Sequence, residues 1–253
     1  MKVRVAETRA ELGKLAARDI ASALLAGLRE KASIRMILAA APSQSDMLEA
    51  LLREPGIDWS RVTAFHMDEY IGLPATASQG FGQWLKQAFF DHIPLAKVHL
   101  IEPGNNPESA CHAYAEKLAE APIDLVLLGI GINGHLAFND PPANLDDPLA
   151  VKVVELDEMC RQQQVLDGCF VAFNDVPRQA ITLTVPALLS GRQMFCSVPG
   201  IHKSDAVKAM IEAPISGDCP ATALRTHPQC TVYLDRESSS KINPHEHSNN
   251  LRA

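Results

Sequence analysis

An α/β fold with a mostly parallel sheet and helices on both faces is predicted by three features of this 253-residue chain. Short apolar runs alternate with amphipathic segments of helical period along the body of the sequence, the pattern of repeated βαβ units. The clearest run, Ile123 to Ile130 (IDLVLLGI), is apolar from Leu125 to Leu128 without a break, as a strand covered on both faces is, and it passes straight into a glycine-rich turn. Hydrophobic residues make up 47% and charged residues 21%, the proportions of an ordinary folded domain rather than a disordered chain.

Taken in order, Leu12, Leu15, Ala16, Ile20, Ala23, Leu24 and Leu28 fall at helical spacing, so a helix over residues 7 to 30 is expected to open the chain. Ile34 to Ala41 (IRMILAAA) reads as a strand that ends at Pro42-Ser43-Gln44-Ser45, after which Met47, Leu48, Leu51 and Leu52 resume a helix. Val62 to Met67 reads as a strand, 78 to 92 as a helix, Val98 to Ile101 as a short strand and 107 to 120 as a helix. Beyond the glycine-rich turn, strands are expected at Val151 to Leu156, Ala180 to Val185, Met194 to Val198 and Thr231 to Leu234, with helices at 203 to 213 and near 220 to 226. Length alone permits one large domain or two small ones. The unbroken alternation favours one, spanning residues 1 to 236, with 237 to 253 a polar tail rich in Ser, Asn and His that is expected to be disordered.

A formal charge of −7 and the lack of a Lys/Arg stripe argue against a nucleic-acid partner, while a small anionic ligand needs only a local site. The six cysteines, Cys111, Cys160, Cys169, Cys196, Cys219 and Cys230, show no CxxC spacing, so reduced thiols are expected rather than a zinc site or a disulfide framework. The charged N-terminus has no apolar signal core, and no run approaches the ~18 apolar residues of a membrane span, which leaves the cytoplasm by elimination.

Four segments fall where strands should end, the place where parallel sheets bind ligands. Phe65 to Pro74 (FHMDEYIGLP) places the adjacent carboxylates of Asp68 and Glu69 at a strand end. They either position a base or cap a turn, and spacing leaves both readings open. Gly129 to Pro141 (GIGINGHLAFNDP) packs Gly134, His135 and Asp140 into one turn, where backbone amides approach a ligand and Asp140 adjusts the charge of an acid/base imidazole. The glycine spacing is a poor match to a dinucleotide fingerprint. Gly200-Ile201-His202-Lys203-Ser204 opens a helix, and a lysine in its first turn suits a phosphate or is merely a surface residue. Ser43, Gln44 and Ser45 offer two hydroxyls and an amide to the same phosphate, or an N-cap.

At these residues the chain resembles the glucosamine-6-phosphate deaminase/isomerase family, whose relatives include 6-phosphogluconolactonases. FHMDEYIGLP, GIGINGHLAFNDP and Gly200 to Lys203 match its three signature stretches, and MDEY with AFND is more similar to the deaminase branch. The resemblance implies a modified Rossmann-like parallel sheet, no metal or organic cofactor, and a phosphorylated sugar as ligand. It implies that Asp68 moves a proton between sugar C2 and C1, that His135 opens the pyranose ring, and that Lys203 with Ser43 and Ser45 holds the phosphate. Arg161, in Cys160-Arg161-Gln162-Gln163-Gln164-Val165, stands where the deaminases have arginine contacts to substrate. Family members are often oligomers, so a homo-oligomer is left open.

The chain departs from the family pattern in three places. Asn133 stands where the deaminases carry Asp, Asp140 where they carry Glu, and Pro42-Ser43-Gln44-Ser45 where the phosphate loop is usually Gly-Gly-Thr in character. Asn133 cannot supply the charge that an Asp gives the ring-opening histidine. A divergent branch is therefore expected: a hexose 6-phosphate isomerase, with deamination if the sugar bears a 2-amino group. The alternatives are a 6-phosphogluconolactonase-like hydrolase, in which His135 activates water and Asp68 is idle, and a sugar-phosphate sensor without turnover.

Overall fold

The computed structural model describes residues 1–242. In chain order its strands are β1 (Lys2–Val5), β2 (Ile34–Leu38), β3 (Val62–His66), β4 (Asp68–Tyr70), β5 (Lys97–His99), β6 (Leu125–Leu128), β7 (Val151–Glu155), β8 (Gln179–Leu183), β9 (Gln193–Val198) and β10 (Cys230–Leu234). The helices are α1 (Arg9–Glu30), α2 (Ser45–Leu52), α3 (Phe81–Ala88), α4 (Pro107–Ala119), α5 (Glu158–Leu166), α6 (Val185–Leu189) and α7 (Ser204–Glu212).

Seven strands form an all-parallel sheet in the order β1-β10-β9-β6-β2-β3-β5. Alternate residues of its central strands feed two separate cores, as the two-residue period of a strand requires. Met36 and Leu38 of β2 face the core built with α1 and α2, whereas Ile37 faces the core built with α4, α6 and α7. Helices therefore cover both faces, as expected from the continuously apolar strands. Strand order reverses between β2, whose chain moves on to β3, and β6, whose chain moves the other way to β9. Loops that leave such neighbours diverge and open a crevice at their carboxyl ends.

Two expectations are corrected. The chain opens with β1, not a helix: Lys2–Val5 pairs with β10 at the sheet edge and buries only Val3, so its KVRV sequence reads as charged surface. The strands expected at 151–156 and 180–185 leave the parallel sheet and form a second, antiparallel one in the order β4-β8-β7. Its first member, β4, lies within the FHMDEYIGLP segment, separated from β3 by Met67 alone. Apolar runs mark a strand but not the sheet it joins.

Of the tail expected from Glu237, residues through Ile242 are placed: Ser238 is buried, exchanging hydrogen bonds with Asp235, and Ile242 packs on the core. The remainder, 243–253, lies outside the described residues. Among the described residues no helix is long and apolar enough to cross a membrane.

Candidate active site

A cleft of about 1070 Å³ opens at the crevice predicted by the strand order. It is lined by the loops that follow β2, β3, β6 and β9, which contribute Ser43, Gln44, Asp68, His135 and Lys203. Residues from four distant stretches thus open onto one space. The lining combines the basic residues Lys203, His202 and Arg9 with the aromatic residues Phe81, Trp84 and Phe138, of which Phe81 and Phe138 stack on each other.

Asp68 begins β4 and is 7% exposed. Burial, and then the neighbouring Glu69 carboxylate, hold its carboxyl well above the usual range. A carboxylate of ordinary pKa is a feeble base near neutrality, and burial raises its proton affinity toward the working pH. Preceding it, His66 is fully buried, and burial pushes its imidazole down to about 3. The neutral ring accepts the Ile101 N–H at its Nε2, 2.7 Å away. His66 therefore anchors the end of β3.

His135 sits in the turn after β6, where Gly131 makes room for it: a Cβ there would fall 2.2 Å from the imidazole. Its Nδ1 lies 3.1 Å from Asp140 Oδ1, close but not aligned as a hydrogen bond. That contact leaves Nε2 as the ring nitrogen turned away from the carboxylate. Burial works to raise the Asp140 carboxyl, but His135, Asn133 and Cys160 outweigh it and keep it below its ordinary value. Asn133 does not line the cleft; it braces the turn from behind, donating to Asp140 Oδ1 and accepting the His135 N–H. In the same turn Ala137 adopts φ 49, a left-handed conformation that a residue with a Cβ rarely takes. Asn139 holds the kink, with its amide bonded to the carbonyls of Leu136 and Leu183.

In the loop after β2, the Gln44 amide donates to Ser43 Oγ and to the Ser197 carbonyl, 3.1 Å each, so the Ser43 hydroxyl keeps its own proton free to donate. Lys203 closes a single 3₁₀ turn (Ile201–Lys203) ahead of α7, and burial depresses its ammonium pKa. Arg9, the first residue of α1, reaches the loop after β2, with its Nε 2.5 Å from Asp46 Oδ2 and a further bond to the Pro42 carbonyl.

Four expected ligand residues lie elsewhere. Glu69 turns away and caps α3, accepting the backbone N–H groups of Phe81 and Gly82 as well as that of Tyr70. Gly134 is needed for its backbone: φ is +82, and its carbonyl accepts the Ala221 N–H. Ser45 begins α2 without lining the cleft. Arg161 points out of the cleft, with its Nη2 bonded to the carbonyls of Phe173 and Val176 and its guanidinium stacked on the Phe173 ring. Its neighbours on α5, Gln163 and Gln164, line the cleft instead. They belong to a stretch that the sequence singles out, but which of its side chains enters the cleft depends on the 173–176 segment, whose carbonyls and Phe173 ring draw Arg161 away. Arg9 carries no sequence signal beyond its charge.

Among the described residues, His135, Asp140 and Cys160 bring three metal-ligating atoms within 4.8 Å of one another. Burial, with Asp140 and Asp157 nearby, pushes the Cys160 thiol far up, which opposes the thiolate that a metal requires.

The family model described as glucosamine-6-phosphate isomerases/6-phosphogluconolactonase matches residues 7–233. A glucosamine-6-phosphate deaminase of Bacillus cereus is 35% identical over 192 residues, covering 76% of this chain and 72% of the relative. The structure of a monomeric glucosamine-6-phosphate deaminase superposes with a TM-score of 0.89 at 29% identity, covering 96% of this chain and all of the other. A 6-phosphogluconolactonase from Thermotoga maritima shares the fold, with a TM-score of 0.76 at 20% identity over 92% of this chain and 98% of the other.

Proposed function

The chain belongs to the family of glucosamine-6-phosphate isomerases and 6-phosphogluconolactonases, and we propose that it converts a hexose 6-phosphate from aldose to ketose, releasing ammonia when the sugar carries a 2-amino group. The observation that carries this reading is the convergence of Asp68, His135 and Lys203 on one cleft, with Asp68 buried. Isomerisation needs a base of raised proton affinity at C2, and ester hydrolysis by an imidazole-activated water leaves such a carboxylate without a task.

In this reading the phosphate lies between the Lys203 ammonium and the Ser43 hydroxyl, with Arg9 adding charge. His135, oriented by Asp140, passes a proton to the ring oxygen as the O1 hydroxyl loses one, and the C1–O5 bond breaks to give the open aldehyde. Asp68 then takes the C2 proton; the C–H electron pair forms C1=C2 while the carbonyl π pair moves onto O1, which takes up the proton that the O2 hydroxyl gives up. Return of the proton from Asp68 to C1, as C2=O forms, gives the ketose. With a 2-amino sugar the same transfer yields a ketimine at C2, to which water adds and from which ammonia leaves. Phe81 and Trp84 offer an apolar wall to the C–H face of the sugar.

The test is a coupled assay for ammonia and ketose phosphate with glucosamine 6-phosphate, extended across amino and non-amino hexose 6-phosphates with products identified by mass. Turnover that Asp68→Asn abolishes supports the reading. Hydrolysis of 6-phosphogluconolactone that is insensitive to Asp68→Asn, or binding without turnover of any of these sugars, overturns it.

A further inference from the structure

Apart from the cleft, a second concavity of about 570 Å³ lies between Ile71–Leu73, which follow β4, and Asn174–Arg178, which lead into β8. Arg161 and Arg178 both line it, together with Asp175 and Asn174. Arg161 is 8% exposed, yet its guanidinium is only partly satisfied. Nη2 reaches the carbonyls of Phe173 and Val176, while Nε is buried with no partner. Neither arginine forms a salt bridge among the described residues. Nε of Arg161 is closed off by burial, so Nη1, which has no protein hydrogen bond among the described residues, is the donor that this guanidinium has left to offer the concavity.

We propose that this pocket is a second binding site, for a phosphate-type oxyanion that carries an O–H proton. The two guanidinium groups offer planar donor forks that match oxyanion geometry. Asp175 selects within that class, because a carboxylate only accepts hydrogen bonds and so favours an anion with a proton to give. Two arginines and one carboxylate leave a net positive charge, which a small anion neutralises. The site is tied to the main cleft by α5, which carries Arg161 on this side and Gln163 and Gln164 on the other.

The test is a residue-resolved NMR titration of the full chain with inorganic phosphate and, in parallel, with sulfate, which lacks the proton at neutral pH. The amides of Gly72 and Val176 should shift saturably with phosphate, at concentrations at least tenfold lower than with sulfate. In Arg178→Gln, an exposed position, that isotherm should weaken tenfold or more while the cleft amides of Gly129 and Lys203 respond as before. Shifts at Gly72 and Val176 that never saturate, that are equal for the two anions, or that survive Arg178→Gln unchanged would overturn the proposal. The cleft amides report separately, so a failure of the catalytic reading would not be mistaken for a failure of this site.

Discussion

Asn133 and Asp140 are bonded to each other, Asn133 Nδ2 to Asp140 Oδ1 at 3.2 Å, so the carboxylate that faces the His135 imidazole is itself held by an amide. An amide can make this contact and a carboxylate cannot. Asn133→Asp would set two carboxylates against each other, and one of them would keep its proton well above the ordinary range. The expected result is a loss of kcat/KM at pH 7 of at least tenfold, with the acid limb of the pH–rate profile moved upward. Adding Asp140→Glu should recover part of the loss, because the longer side chain changes the spacing of the same pair. An additive double mutant would show that the two positions are not coupled.

Asp68→Asn separates function from stability. Removing the general base that the proposed isomerisation requires should lower kcat by about 10²–10⁴. The folded protein should nonetheless become more stable at pH 7. The folded-state pKa of Asp68 is raised, so the carboxyl favours folding only while protonated; stability falls as pH climbs from the unfolded value near 4 through the folded value. Asn lacks that titration. Denaturant melts at pH 4 and pH 7 should therefore show little difference between wild type and variant at the lower pH, and a clear gain for the variant at the higher.

Lys203→Met should act mainly on KM. A hydrogen bond to a charged group contributes about 1.5–3 kcal/mol, which corresponds to an increase in KM of roughly ten- to a hundredfold. In the wild type, burial favours the uncharged amine, so the ammonium is lost at a lower pH than from an ordinary lysine. KM for the phosphosugar should accordingly climb at a lower alkaline pH than an ordinary lysine would impose, and this climb should be missing in Lys203→Met.

The parts of the site that sequence makes legible are those in which one short loop holds the whole arrangement. The turn from Gly129 to Asp140 brings the imidazole and its carboxylate together within a few residues, so no tertiary knowledge is needed to pair them. Alternation of strand and helix likewise locates the ends of β2, β3, β6 and β9, and with them the cleft. Legibility fails where the direction of a side chain depends on a distant partner. Glu69 neighbours Asp68, but the pleat sends it to the opposite side, against the amides of Phe81 and Gly82. Arg161 has the right charge for a substrate contact and is taken up by carbonyls from the 173–176 segment. Arg9 comes to the cleft only because α1 packs across α2, a contact between segments that share no motif.

Glu69→Gln gives the sharpest division between the two readings of that residue. In the structure Oε1 accepts the Tyr70 and Phe81 N–H groups and Oε2 accepts that of Gly82. A glutamine can match the first pair, but its amide then turns a donor on the Gly82 N–H, and the favourable charge at the start of α3 is lost. The expected cost is about 1–3 kcal/mol, read as a lower denaturant midpoint. The Glu69 carboxylate also helps to hold the Asp68 carboxyl up, second to burial. Its removal should therefore move the acid limb of the pH–rate profile downward while KM per folded enzyme stays constant. A substrate ligand at position 69 would instead raise KM and leave the midpoint where it was.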